Sequence, residues 1–312
     1  MPPLPHDLID ATAAEQAGVL SRHQLRELGV SADAVAWAVR ARRWRIVGRA
    51  VVVHRGPLTR EARWWIALIH VGPGSALAAW TAAEAAGLEG FERQSVHVVV
   101  PIGYHHTRRM LPWIKLHVSR RFTPSDIVRS GGPARVSVAR AVIDAGAWAA
   151  TARGGCAVVV GAIQQRLTTP ELVYAELGRA GQVRRRRLLA ATLVDVAGGS
   201  QAMTEIDVAK LCRRFGLPLP YRQAVRVDSR GKRRYLDAWW RRADGRIVHL
   251  EIDGAVHLSV LRMWDDLDRQ SDLAISEDAL AIRVAGIAAR LDPAGVARRI
   301  AAALRIPFAE AA

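Results

Sequence analysis

Residues 235–257 read Tyr-Leu-Asp-Ala-Trp-Trp-Arg-Arg-Ala-Asp-Gly-Arg-Ile-Val-His-Leu-Glu-Ile-Asp-Gly-Ala-Val-His, with Asp237 fourteen positions before Glu251 and with Asp253 and His257 close behind. Residues 246–252 form a short β-rich run, which predicts a strand. On a strand, positions two apart share a face, so Glu251 and Asp253 fall on one side. Two carboxylates on one face repel unless a cation lies between them, and a hard divalent ion with oxygen ligands meets that need. Asp253-Gly254 ends the strand, and the turn brings His257 back toward the same face. Upstream, residues 221–227 and 235–240 flank a polar loop of hairpin length at 228–232. Three consecutive strands are therefore expected, with Asp237 on the second.

The 312 residues suffice for two or three domains, each with its own core. A formal net charge of +16 calls for a polyanionic partner, and nucleic acid is the commonest. That charge divides as +3 over residues 1–56, +9 over 57–199 and +4 over 200–312. The excess thus lies upstream of the acid-rich strand, where it is placed to hold a substrate. Only Cys156 and Cys212 occur, without metal-ligand spacing, so neither a disulfide framework nor a zinc site is expected and a reducing cytoplasm fits. Residues 1–10 are Pro-rich and polar, unlike an export signal. Residues 64–83 contain no Lys, Arg, Asp or Glu, but Gly72-Pro73-Gly74 interrupts them, which predicts helix, turn and helix and no membrane partner.

Near the N-terminus, Ser21-Arg22-His23-Gln24 has capping-box form and opens a helix that ends at Gly29; Ser31 caps a second helix reaching about Arg42. Val35, Trp37, Ala38 and Val39 of that helix are expected inside. Residues 44–53 have the Gly-centred pattern of a wing hairpin. Arg40, Arg42, Arg43, Arg45 and Arg49 gather at the helix end and in the wing as phosphate contacts. Arg184, Arg185, Arg186 and Arg187 lie in a predicted helix over 183–196 and are a second phosphate clamp, while Arg222 and Gln223 open the strand leading to the acids. His97, His105, His106 and His117 stand beside Thr107-Arg108-Arg109 and read as part of a basic loop rather than a metal site. The chain has no Walker loop, G-x-G-x-x-G or G-x-S-x-G, so no nucleotide cofactor is expected and serine-based catalysis has no motif.

Thr204-Glu205, Gly216-Leu217-Pro218-Leu219-Pro220, Arg222-Gln223, Asp237, the run Glu251-Ile252-Asp253-Gly254-Ala255-Val256-His257, and residues 266–269 together resemble the very-short-patch-repair-like endonuclease domains (DUF559) of the PD-(D/E)XK superfamily. The resemblance spans roughly 200–290. It implies that Glu205, Asp237, Glu251, Asp253 and His257 surround a metal, with Asp237, Glu251 and Asp253 as ligands for magnesium or manganese. Asp253 takes the place of the lysine in the wider superfamily's motif. The implied chemistry is phosphodiester hydrolysis, with His257 relaying a proton and Glu205 orienting water. From Gln16-Ala17-Gly18-Val19-Leu20-Ser21 through Arg49-Ala50-Val51, the N-terminal block resembles the winged-helix domain of AbiEi-type antitoxins.

The expected fold class is α+β: a winged helix over 1–56, a middle α/β region of AbiEi-like type over 57–199 and a PD-(D/E)XK-type sheet with flanking helices over 200–312. The expected function is a cytoplasmic, magnesium-dependent DNA endonuclease or nickase, with a homo-oligomer or a toxin or defence partner left open. The alternatives are a non-catalytic DNA-binding regulator of antitoxin type and an enzyme of the same fold acting on RNA.

Overall fold

The computed structural model describes residues 6–104, 109–197, 205–221, 224–227, 233–236, 238–253, 281–285 and 292–308. These form an α+β fold of interspersed helices and small sheets. The chain divides into two compact units, one of residues 1–145 with 175–181 and one of 146–174 with 182–312.

The first unit opens with α1 (His6–Glu15), β1 (Val19–Ser21), α2 (Arg22–Glu27), α3 (Ala32–Arg40), β2 (Arg45–Val47) and β3 (Ala50–Val52). β3 lies between its antiparallel partners β1 and β2, which is the winged-helix arrangement. Local chemistry sets each boundary. Ser21 Oγ accepts from the Gln24 amide at 3.1 Å while Gln24 Oε1 accepts from the Ser21 amide at 2.8 Å, closing the capping box. Ser31 caps α3 through the Ala34 amide. α3 stops at Arg40, two residues before the expected end, because Arg42 enters the left-handed region at φ 54°. Ala34, Val35 and Ala38 form its buried stripe against Ile9, Leu20, Leu25 and Val51. Trp37 falls off the edge of that stripe and is 40% exposed, contrary to the sequence expectation.

The opposite face of the wing sheet is covered by α4 (Arg60–Val71): Val19, Ala50 and Val52 pack against Ala62 and Ile66. The winged helix therefore completes its core with residues beyond position 56. At the wing turn, Gly48 has φ +59°, and a Cβ there would run into the His70 ring of α4. Helix, turn and helix do follow across 64–83, with Gly72 ending α4 and α5 (Ala79–Ala85) following the short β4 (Ala76–Leu77). Five strands form a mixed sheet in the order β6-β5-β4-β8-β7, from β5 (Val96–Pro101), β6 (Ile114–Ser119), β7 (Ile127–Val128) and β8 (Arg135–Val136) with β4. β5 is buried on both faces, which its near-continuous Val run anticipates.

Four helices follow: α6 (Val138–Trp148), α7 (Ala152–Gln164), α8 (Pro170–Arg179) and α9 (Arg186–Ala197). Within the second unit, Gly146 and Gly155 let backbones approach closely. A Cβ on Gly155 would lie 2.6 Å from the Gly146 carbonyl oxygen. The C-terminal region contains α10 (Glu205–Arg214), β9 (Ala224–Val227), β10 (Arg233–Leu236), β11 (Ala238–Arg241), β12 (Ile247–Asp253), β13 (Ala281–Ala285) and α11 (Pro293–Leu304). The single strand expected over 235–240 is two: β10 pairs with β9, and β11 pairs with β12. Asp237 separates them and lies outside the described residues. Trp240, Val248, Leu250, Ile282 and Val284 bury against Val208, Leu211, Cys212, Val296 and Ile300 of α10 and α11. Each such large side chain, fully buried, contributes about 1.5–3 kcal/mol of transfer free energy. Trp240 Nε1 donates to the Pro218 carbonyl at 2.8 Å, so its one polar atom is satisfied.

Candidate functional site

β12 is the central strand of the three-stranded sheet β11-β12-β13, antiparallel to β11 and parallel to β13. Val248 and Leu250 are fully buried, so the even positions of β12 face the helices α10 and α11. Strand alternation then assigns positions 249, 251 and 253 to the other side of the sheet. Glu251 is in register with Arg283, and Asp253, the last residue of β12, with Ala285 of β13. Glu205 is the first residue of α10. The structure thus places two of the five expected catalytic positions together on one side of one strand and a third at a helix start. Asp237 and His257 lie outside the described residues, as do Arg222 and Gln223. Among the described residues there is no cluster of three or more His, Cys, Asp or Glu side chains suited to a metal ion.

The basic residues are better defined. Arg40, Arg42, Arg43 and Arg49 are exposed, at the end of α3, in the following turn and at the wing tip. Arg43 lies over the Trp37 ring, 5.1 Å from its centroid, so the exposed tryptophan and the arginine form one cationic, aromatic surface. Arg45 is instead tied to its own chain, donating to the Gly56 carbonyl. In the second basic run, α9 begins at Arg186 rather than at 183, because Arg185 adopts φ 61°. That turn carries its guanidinium to the carbonyls of Gly146, Ala147, Ala149 and Ala150, at 3.3, 3.2, 2.9 and 3.2 Å. Arg185 is a cap on the C-terminal end of α6, where orphan carbonyls and the negative end of the helix dipole attract a cation. Its donors are committed there. Arg184 and Arg187 are exposed, and Arg186 is half-buried.

Two charged or titratable groupings in the first unit are assembled by the fold. Arg140, 3% exposed, donates through Nε to Asp144 Oδ2 at 2.7 Å, with Asp126 at 3.9 Å and Glu176 at 3.8 Å from its Nη1. Arg179 bonds both Asp126 and Glu176, and Arg121 reaches Asp144 at 3.4 Å. Three guanidinium groups and three carboxylates neutralise one another. Burial pushes the Asp144 and Glu176 carboxyls up in spite of the arginines. Asp126 is held down despite its own burial, by hydrogen bonds from Thr123 and Arg179. Arg140–Asp144 and Glu176–Arg179 are neighbours at helical i,i+4 and i,i+3 spacing, but no spacing rule brings the two pairs to each other or to Arg121 and Asp126.

The second grouping is His97 and His117 on neighbouring strands, with Nδ1 of the first 2.9 Å from Nε2 of the second. Burial is the main cause that lowers them to about 3 and about 4, respectively. The pair is therefore neutral at pH 7, one ring donating to the other. The basic-loop expectation is corrected for these two, which are strand residues; His105 and His106 lie outside the described residues. Because the unfolded chain protonates each histidine near 6.5, the stability that these neutral rings support is complete above that value and declines as the pH falls toward 4. Between pH 6.5 and 5 the expected loss is roughly 2 kcal/mol from His97, and less from the more exposed His117. Urea denaturation of the parent and of His97→Gln across that window checks this: a pH dependence equally steep in the variant contradicts it.

No family model matches the chain, and no curated protein matches it. Among solved structures it is similar to the Rv2827c protein from Mycobacterium tuberculosis, with 14% identity and a TM-score of 0.40, over 64% of this chain and 78% of that one. No helix among the described residues is long and apolar enough to cross a membrane.

Proposed function

We propose that this chain is a magnesium-dependent DNA endonuclease or nickase of the PD-(D/E)XK type, acting in the cytoplasm, with DNA held by a basic winged helix of the AbiEi-antitoxin kind. The observation that carries this reading is the location of Glu251 and Asp253 two apart on the central strand of a mixed sheet, on the side away from the buried Val248 and Leu250. The donor set of Asp237, Glu251 and Asp253 is wholly hard carboxylate oxygen, which suits magnesium or manganese and not a thiophilic metal. When bound, such an ion supplies an acidified water and neutralises charge gathering on the phosphate. Of the chain's own groups, His257 is the proton relay and Glu205 the group that orients water. Arg40, Arg42, Arg43, Arg49, Arg184, Arg186, Arg187, Arg222 and Gln223 are the phosphate contacts. Arg45 and Arg185 drop from that set because each donates to carbonyl oxygens of its own chain.

A second reading is favoured by one specific feature, the completed winged helix with its exposed Arg43–Trp37 surface. On that reading the chain is a non-catalytic DNA-binding regulator. Incubation of supercoiled plasmid with the parent protein in magnesium, in manganese and in excess chelator separates the two. The nuclease reading expects nicked or linear product with either metal and none with chelator. Binding without cleavage under every metal condition sinks it and leaves the regulator.

A further inference from the structure

A cleft of about 940 Å³ opens in the first unit between the start of α2, the wing tip, α4 and the loop at 72–75. Its volume sits near the upper end of the range for small-ligand sites, roughly 300–1,000 Å³. Four arginines, Arg22, Arg26, Arg49 and Arg129, are among its lining residues, and the lining contains no Asp or Glu. All four are exposed, and among the described residues none is in an ion pair. The other polar side chains are largely occupied: Ser21 and Gln24 by their reciprocal capping bonds, Ser75 by the Gly72 carbonyl at 2.6 Å. Apolar side chains accompany these arginines in the lining: half-buried Trp65 and Ile69 and buried Leu68. Arg49 reaches across the glycine loop, since a Cβ on Gly72 would lie 3.4 Å from its Nη1. Of the four arginines, only Arg49 was legible as a ligand contact from the sequence; α2 and position 129 were not.

Arginines and apolar side chains in one lining together suit a ligand that is anionic at one end and apolar at the other. We propose that this cleft binds a nucleotide unit, with phosphate on Arg22, Arg26, Arg49 and Arg129 and the base against Trp65, Leu68 and Ile69. Arginine suits the phosphate through bidentate donation, and an aromatic side chain offers a base a sequence-tolerant stacking partner. A free mononucleotide or a nucleotide within a single strand presents the same chemistry. The cleft is built wholly from the first unit, whereas β12 belongs to the second, and occupancy requires no cleavage.

Fluorescence anisotropy of fluorescein-labelled octathymidylate with the full-length chain, in chelator, tests this. The Arg26→Glu, Arg129→Glu double variant is expected to bind at least ~10-fold more weakly. Its salt dependence should flatten by about 1.4 in log–log slope, the loss of two single-strand phosphate contacts. Arg120→Glu with Arg213→Glu makes the same charge change at exposed sites outside the cleft and should leave affinity within about twofold. Competition by AMP at millimolar concentration assigns the site to a free nucleotide; displacement by unlabelled octathymidylate alone assigns it to a strand. Equal weakening in both double variants, an unchanged affinity in the cleft variant with an unshifted melting curve, or displacement by inorganic phosphate as effective as by AMP would each overturn the proposal. Asp253→Ala should bind like the parent, so a failed nuclease reading and a failed cleft reading give different results.

Discussion

Asp253→Ala is expected to reduce plasmid nicking in magnesium by a factor of at least ~100, about 2.7 kcal/mol in the barrier, while DNA binding persists. The reason lies in the strand. Asp253 is the last residue of β12, two positions from Glu251, and the side of the sheet they share is not the one that packs on α10 and α11. Removing one carboxylate from a hard-ion donor set weakens metal affinity and the charge stabilisation that goes with it, but leaves the apolar core of the sheet untouched. Asp253→Asn refines the test, since it keeps the shape and loses the charge, and Asp237→Ala should behave alike. Gel-shift affinity measured in parallel must stay within about threefold of the parent. A variant that nicks as fast as the parent removes Asp253 from the metal site, and with it the observation on which the enzyme reading rests.

Asp144→Ala is expected to cost roughly 3–5 kcal/mol of stability, enough to unfold a marginal domain. Asp144 is fully buried, and its partner Arg140 is 3% exposed. Truncating the acid leaves a guanidinium in a low-dielectric site with its nearest remaining carboxylate oxygens at 3.8 and 3.9 Å. Those contacts are too long to replace a bond of 2.7 Å. Replacing both partners, as Asp144→Leu with Arg140→Met, should recover much of the loss, because no unpaired charge then stays buried. The measurement is a double-mutant cycle by urea denaturation. Additive single-variant effects would show that Arg140 and Asp144 do not act as a unit.

The local devices were legible in the residues. Ser21 with Gln24, Ser31 and the glycine of the wing turn act within four positions of themselves, so their hydrogen bonds can be read directly from spacing. The run at 247–253 was legible for the same reason, since strand alternation is a property of neighbouring residues. Trp37 was misassigned because it sits one position from a buried one on α3, and only the packing of Ile9 and Val51 against Val35 shows where the stripe ends. Arg185 illustrates a different failure. Four consecutive arginines look equivalent in sequence, yet a left-handed turn at one of them aims it at the end of a helix some forty residues earlier.

Periodicity, capping chemistry and charge balance thus establish the α+β class, the winged helix and a strand bearing paired acids, all being short-range patterns written into adjacent residues. Which arginines remain available for a polyanion is a different matter. Arg121 and Arg185 are spent on a buried carboxylate and on helix carbonyls far from them in sequence, while Arg22, Arg26, Arg49 and Arg129 line a cleft without acids. Those assignments depend on elements distant in sequence meeting in space, where burial sets the energy of each charge, and neither follows from the spacing of residues along the chain.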